Sequence, residues 1–156
     1  MKYSFEGSLG RISHQVSRDL GRHLERKFRQ AGYSINNYEW AVLSYLFTHQ
    51  KSCQKSIAAF LGTDKVMAKR IIDGLEKSGY VSRQEDTTDK RYKQVQMTPR
   101  GNALFKELEP FAGEVLETAF RGIPQSSISQ TFDTLHRVLE NLEEASPGTD
   151  GFNELK

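Results

Sequence analysis

The stretch CQKSIAAFLGTDKVMAKRIIDGLEKSGYV, residues 53–81, reads as helix, tight turn, helix. Ile57, Ala58 and Leu61 give a short apolar face, and Gly62 permits a left-handed backbone. Asp64 is placed to cap a new helix that begins at Lys65. In that second helix Ala68, Ile71, Ile72 and Leu75 fall at i, i+3, i+4 and i+7, so they share one face. The same periodicity leaves Lys65, Val66, Lys69 and Arg70 on the opposite surface of its N-terminal half. Small Ala58 and Ala68 suit the close helix crossing that a helix-turn-helix needs. Gly79 stops the second helix.

Downstream, the pattern changes twice. Tyr80 to Glu85 reads as a strand, Asp86 to Lys90 as a turn, and Tyr92 to Met97 as the returning strand, with Val95 and Met97 on one face. Asp86 and Thr87 are side-chain turn formers, and Asp89 is placed to hold Arg91 outward by a charge-assisted hydrogen bond. A β-hairpin beside a helix-turn-helix is a wing. Thr98 and Pro99 then open a helix as N-cap and first helical residue.

The flanking segments are helical as well. Ile12, Val16, Leu20, Leu24 and Phe28 recur every four residues over Leu9 to Ala31, a drifting stripe with Gly21 as its weak point and Gly32 as its C-cap. Asn36 and Glu39 form a capping box for a second helix, in which Trp40, Leu43, Leu46 and Phe47 face a core. From Pro99 the apolar spacing is helical again, with a kink expected at Pro110 and a break at Gly122-Ile123-Pro124. The last helix carries Ile128, Phe132, Leu135, Leu139 and Leu142 as a heptad seam. Seam and stripe exceed what one small winged module needs, which points to a dimer interface. The segment 146–156 is expected to be frayed.

Composition sets the outer limits. A chain of 156 residues with 37% hydrophobic and 27% charged residues suits one domain, with room for a partner to complete the core. No signal-peptide-like or membrane-length apolar run occurs, and a lone cysteine, Cys53, agrees with a reducing compartment, so a cytoplasmic protein is expected. Net charge is only +2 but unevenly spread. Lys65 to Lys93 holds eight basic residues against five acids, whereas from Glu140 onward five acids stand against Lys156 alone. A polyanion would meet the middle of the chain.

These elements in this order, with INNYEWAVL (35–43), IAAFLGTDKVMAKRIIDGLEKSGYV (57–81) and DTTDKRYKQVQMTPRG (86–101), resemble the multiple antibiotic resistance regulator (MarR) family of winged-helix transcription regulators, over roughly Leu9 to Glu144. The resemblance implies a mainly α fold with a small β-hairpin wing, one domain over 1–156. In it about 36–98 form the winged helix-turn-helix, and about 9–31 and 99–145 the dimerisation helices. It further implies a homodimer on double-stranded DNA with a pseudo-palindromic operator. Recognition helices would enter major grooves and wings would reach the minor groove. Many members are repressors that release DNA on binding a small, often aromatic, effector.

Residue by residue, Lys65, Val66, Lys69 and Arg70 suit a major groove, where cations donate to guanine and valine touches a thymine methyl. The alternative is an ordinary solvated basic face. Lys90 and Arg91 are the wing contacts, Asp89 their support, and Gln54 a backbone contact of low specificity. For Arg91, a structural bridge to Asp89 and minor-groove insertion are compatible. His14, Arg18 and Trp40 are candidate effector-wall residues, with Trp40 in the core as the competing reading. Arg11, Arg18, Arg22 and Arg29 form a stripe that suits a solvated face or an acidic effector. His14, His23, His49 and His136 lack zinc-type spacing, so no metal or cofactor is expected. Cys53 is read as an N-cap substitute rather than a redox sensor, since a peroxide-sensing relative would carry its cysteine on the first helix. No nucleophile elbow, phosphate-binding glycine loop or catalytic acid–histidine spacing argues for an enzyme. The remaining rival is a winged-helix module that binds protein without specific DNA binding.

Overall fold

The computed structural model describes residues 8–85 and 93–145, in the order α1 (Leu9–Gln30), α2 (Asn37–His49), β1 (Lys51–Cys53), α3 (Gln54–Phe60), α4 (Lys65–Lys77), β2 (Val81–Glu85), β3 (Lys93–Met97), α5 (Pro99–Ala119) and α6 (Gln125–Glu144). Local chemistry sets most of the boundaries. Asn36 and Glu39 close a capping box at α2, with Glu39 N donating to Asn36 Oδ1 at 3.0 Å and Asn36 N to Glu39 Oε2 at 2.9 Å. Asp64 caps α4 and Thr98 caps α5 ahead of Pro99. Gly32, Gly62, Gly79 and Gly122 take positive φ where the chain leaves a helix.

The sheet has three antiparallel strands in the order β1-β3-β2, one more than the expected hairpin. β1 pairs Ser52 with Val95, and β2 pairs Arg83 with Val95 from the other side. The sequence Lys51-Ser52-Cys53 carries no apolar alternation, so it gives no strand signal of its own. It is recruited by β3, and Ser52 is buried with its hydroxyl 3.4 Å from the Tyr45 hydroxyl it donates to.

One core gathers Leu24 and Phe28 of α1, Val42, Leu43, Tyr45 and Leu46 of α2, Ile57 of α3, Ile71, Ile72 and Leu75 of α4, and Leu104, Phe105 and Leu108 of α5. Three expectations need correction. The α1 stripe divides, because Leu24 and Phe28 belong to the chain's own core while Leu9, Ile12 and Val16 are about half exposed. Phe47 is turned only partly inward: it stays 43% exposed at the edge of the core, where it stacks on Phe105 with centroids 4.2 Å apart. Gly21 is buried, not a weak point: a Cβ there would lie 3.0 Å from the Asn37 amide, whose backbone N donates to Glu25 at 2.8 Å. It lets α1 and α2 approach.

α5 runs through Pro110 without ending. Tyr33 and Lys27 tie the end of α1 to it, the Tyr33 hydroxyl donating to Glu107 at 2.9 Å and the Lys27 ammonium pairing with Glu114. α6 contains no buried residue, and its seam leaves Phe132, Leu139 and Leu142 exposed. The expected frayed segment, 146–156, lies outside the described residues.

At the start of α5 a Cβ on Gly101 would sit 2.0 Å from the Tyr80 carbonyl oxygen, a backbone atom that cannot yield. Gly101→Ala is therefore expected to destabilise the chain toward the upper end of the about 1–3 kcal/mol typical of overpacking. Gly74→Ala, mid-helix in α4 with only an ordinary contact at 3.8 Å to Glu39, should be stabilising by about 0.5–1 kcal/mol. Paired denaturant titrations check both; equal midpoints for the two variants would contradict this packing.

Candidate nucleic-acid interface

α3, its turn and α4 are built from short-range bonds. Cys53 caps α3, its Sγ accepting from Ser56 N at 3.5 Å, so the small thiol does the work of a serine there. Thr63 N donates to Ala58 O at 3.1 Å across the turn at Gly62, whose φ is +60°. Asp64 Oδ1 accepts from Met67 N at 2.7 Å. Gln54 donates its side-chain amide to the Lys65 carbonyl at 3.3 Å. That residue, expected as a loose backbone contact, is half-buried and joins the two helices at the turn.

The back of α4 is fixed in the core through Ala68, Ile71, Ile72 and Leu75. Its front carries Lys65, Val66, Lys69 and Arg70, all exposed, with Val66 at 78%. The structure brings these four expected residues to one surface. Chemically, that surface offers two ammoniums, a guanidinium and an isopropyl group on a rigid support. It can donate to guanine O6 and N7 and to phosphates, and touch a thymine methyl. The other expected contacts, Asp89, Lys90 and Arg91, lie outside the described residues.

A residue that sequence reasoning missed links this helix to the sheet. Arg83 of β2 places Nη2 2.6 Å from Asp73 Oδ1, pairs Nη1 with Glu76, and donates its backbone N to Glu76 Oε1 at 3.1 Å. Only 16% of its side chain is exposed. Asp73 also accepts from Lys69 at 2.7 Å. The available signal was two acids on the C-terminal half of α4, i and i+3, followed by an arginine in the next strand; periodicity does not rank such a trio.

His14, Arg18 and Trp40 are not brought together within the chain. Trp40 packs edge-on to Phe28 at 5.4 Å and stacks on Phe105 at 4.9 Å. At 1.5 Å rise per residue, His14 and Arg18 lie about 21 and about 15 Å up α1 from Phe28. Both are exposed, and Arg18 pairs with Asp19 at 3.3 Å. Among the described residues no His, Cys, Asp or Glu group of three or more could hold a metal ion, and no helix is long and apolar enough to cross a membrane.

Comparison with known proteins agrees with this geometry. The model of the MarR family matches residues 35–93, spanning α2 to the start of β3. The HTH-type transcriptional regulator YkoM of Bacillus subtilis (strain 168) is 27% identical over 131 residues, 84% of each protein. The crystal structure of transcriptional regulator PA3341 is 30% identical, with TM-score 0.78 over 88% of this chain and 99% of that one. Bordetella bronchiseptica BpsR, whose DNA binding is regulated by 6-hydroxynicotinic acid, shares the fold at 18% identity and TM-score 0.75, over 88% of this chain and 97% of that one.

The Lys69 hydrogen bond, then that of Arg83, holds the Asp73 carboxyl below its ordinary 3.8. A carboxylate depressed in the folded state contributes stability that is present above pH 3.8 and lost as pH falls through the folded value. Asp73→Asn should therefore be less stable than the native chain near neutrality, the gap closing as pH falls below 3.8. Thermal melts across that range check it, and a gap independent of pH would contradict the assigned charge pairing.

Proposed function

The chain belongs to the MarR family of transcription regulators, and from that premise we propose that it is a homodimeric repressor. It reads a pseudo-palindromic operator with α4, holds DNA with the wing, and lets go on binding a small aromatic or acidic effector. DNA binding and regulation of transcription follow from the family; the dimer, the contact residues, the effector and action in the cytoplasm are this proposal. The observation that carries it is the front of α4, where Lys65, Val66, Lys69 and Arg70 stand exposed on a helix whose back is locked in the core. Residues 36–98 supply the DNA module, and 9–31 with 99–145 the dimer. Effector release draws support from BpsR, a relative in fold regulated by an aromatic acid. His14 and Arg18 could approach the Trp40 region of a partner subunit, because α1 leaves their half unpacked.

Dimerisation is supported by the exposed apolar residues Ile12 and Val16 on α1 and Phe132, Leu139 and Leu142 on α6. Sedimentation should give twice the chain mass at micromolar concentration. Leu135→Asp with Leu139→Asp should convert the dimer to monomer or unfold it; an unchanged dimer would speak against this seam.

DNA contacts should divide into base reading and backbone holding. Arg70→Ala should cost about 1–3 kcal/mol on a duplex selected from a random pool and flatten preference at one or two base pairs, in half-sites about 10 bp apart. Arg91→Ala should weaken selected and mixed-sequence duplexes together and lower the salt slope by about one charge per subunit. Binding measured at several salt concentrations checks both, and aromatic acids added to the bound complex read effector release in the same assay. The opposite pattern would exchange the roles of helix and wing; negligible binding to mixed-sequence DNA at low salt would favour a protein-binding module.

A further inference from the structure

The Lys69 ammonium already has an acceptor. It lies 2.7 Å from Asp73 Oδ2, one turn further along α4, while the other oxygen of that carboxylate holds Arg83 at 2.6 Å. The two cations are held very differently. Arg83 is 16% exposed and bonded twice more to Glu76, through its guanidinium and its backbone N–H. Lys69 keeps 64% of its side chain exposed, and Asp73 is the ion-pair partner it has among the described residues. An exposed i, i+4 pair is worth about 0.3–0.5 kcal/mol, and here the cation precedes the acid, the weaker order on a helix. Asp73 thus has one fixed partner and one that is easily exchanged.

We infer that Asp73 tunes DNA specificity without touching DNA: it withholds the Lys69 ammonium from phosphates of arbitrary sequence and yields it where a cognate site adds a guanine edge to the surrounding phosphates. The inference rests on the reading of α4 as the helix that meets DNA. On mixed sequence Lys69 exchanges a carboxylate at hydrogen-bonding distance for a phosphate, so that contact adds little. A guanine edge presents two acceptors in fixed geometry and shifts the competition. Release of Lys69 leaves Asp73 paired with Arg83, so no carboxylate is stranded and β2 keeps its tie to α4.

Asp73→Asn keeps the side-chain size and an oxygen for Arg83 while removing the charge. It should bind a mixed-sequence duplex more tightly than the native chain, with a salt slope steeper by about 0.9 per engaged subunit. Its advantage should then be about threefold greater per subunit at about 50 mM than at about 200 mM salt. The gain should be smaller on a duplex selected from a random pool, and it should vanish in a Lys69→Ala background. Lys69→Ala alone, which leaves the Arg83 ties intact, should cost more on the selected duplex than on the mixed one. A gain that persists without Lys69 marks a general charge effect and overturns the inference; so does a gain equal on both duplexes, or a Lys69→Ala loss equal on both. Absent or salt-insensitive DNA binding by the native chain removes the DNA-binding reading and this inference together, whereas the preceding outcomes remove the inference alone.

Discussion

The carbonyl oxygen of Tyr80 occupies the space where any side chain on residue 101 would begin, and much of the architecture converges on that contact. Tyr80 O accepts from Thr98 N at 3.0 Å, and the Thr98 hydroxyl donates to Gly79 O at 2.7 Å while accepting from Gly101 N at 3.0 Å. Gly79 turns the chain out of α4 with φ +74°, and the Arg100 guanidinium lies over the Tyr80 ring at 5.1 Å. The end of α4, the start of β2, the end of β3 and the start of α5 therefore meet at one hydrogen-bonded node. The start of α5 is thereby bonded directly to the bases of β2 and β3 and to the C-terminus of α4. Under the proposed function, this node is the shortest covalent and hydrogen-bonded link between the long helix α5 and the α4 surface.

A second tie, Arg83 with Asp73 and Glu76, fixes the middle of β2 to the C-terminal half of α4. Node and clamp together tie α4 to β2 and to the end of β3, so the exposed front of α4 stands on a support that is ordered in advance. Rigidity of this kind lowers the ordering cost of binding. The Lys69 side chain is 64% exposed and paired on a solvated face, in contrast to Arg83, which is 16% exposed.

What the sequence revealed is what short-range chemistry determines. Asn36 with Glu39, Asp64, and Thr98 with Pro99 each act within three residues of a helix start, and all three helices begin where these caps place them. The buried back of α4 follows from a 3.6-residue period and was legible for the same reason. Features set by residues far apart in sequence were not legible. β1 exists because β3 offers it an edge, the value of Gly21 and Gly101 depends on Asn37 and Tyr80 across a helix contact, and Arg83 finds its acids ten and seven residues back. Phe47 lay on the expected face of α2, but its exposure is decided by how α5 crosses that helix, which no local pattern encodes.

α6 is the element least explained by its own chain. It starts at Gln125 behind Pro124 with no side-chain cap, contains no buried residue, and sets Phe132 edge-on to Phe120, just past the end of α5, at 6.2 Å. Helices in proteins owe most of their stability to a packed face rather than to intrinsic propensity. A 20-residue helix with Ile128, Phe132, Leu135, Leu139 and Leu142 on one seam and serines and threonines over its first turns has neither strong propensity nor packing to sustain it. The half-exposed Leu9, Ile12 and Val16 of α1 present a second apolar strip of similar pitch. Under the proposed dimer, pairing the two strips between copies would give α6 the packed face it lacks and cover the exposed N-terminal half of α1, which would link formation of α6 to assembly of a dimer carrying two copies of α4 to successive half-sites.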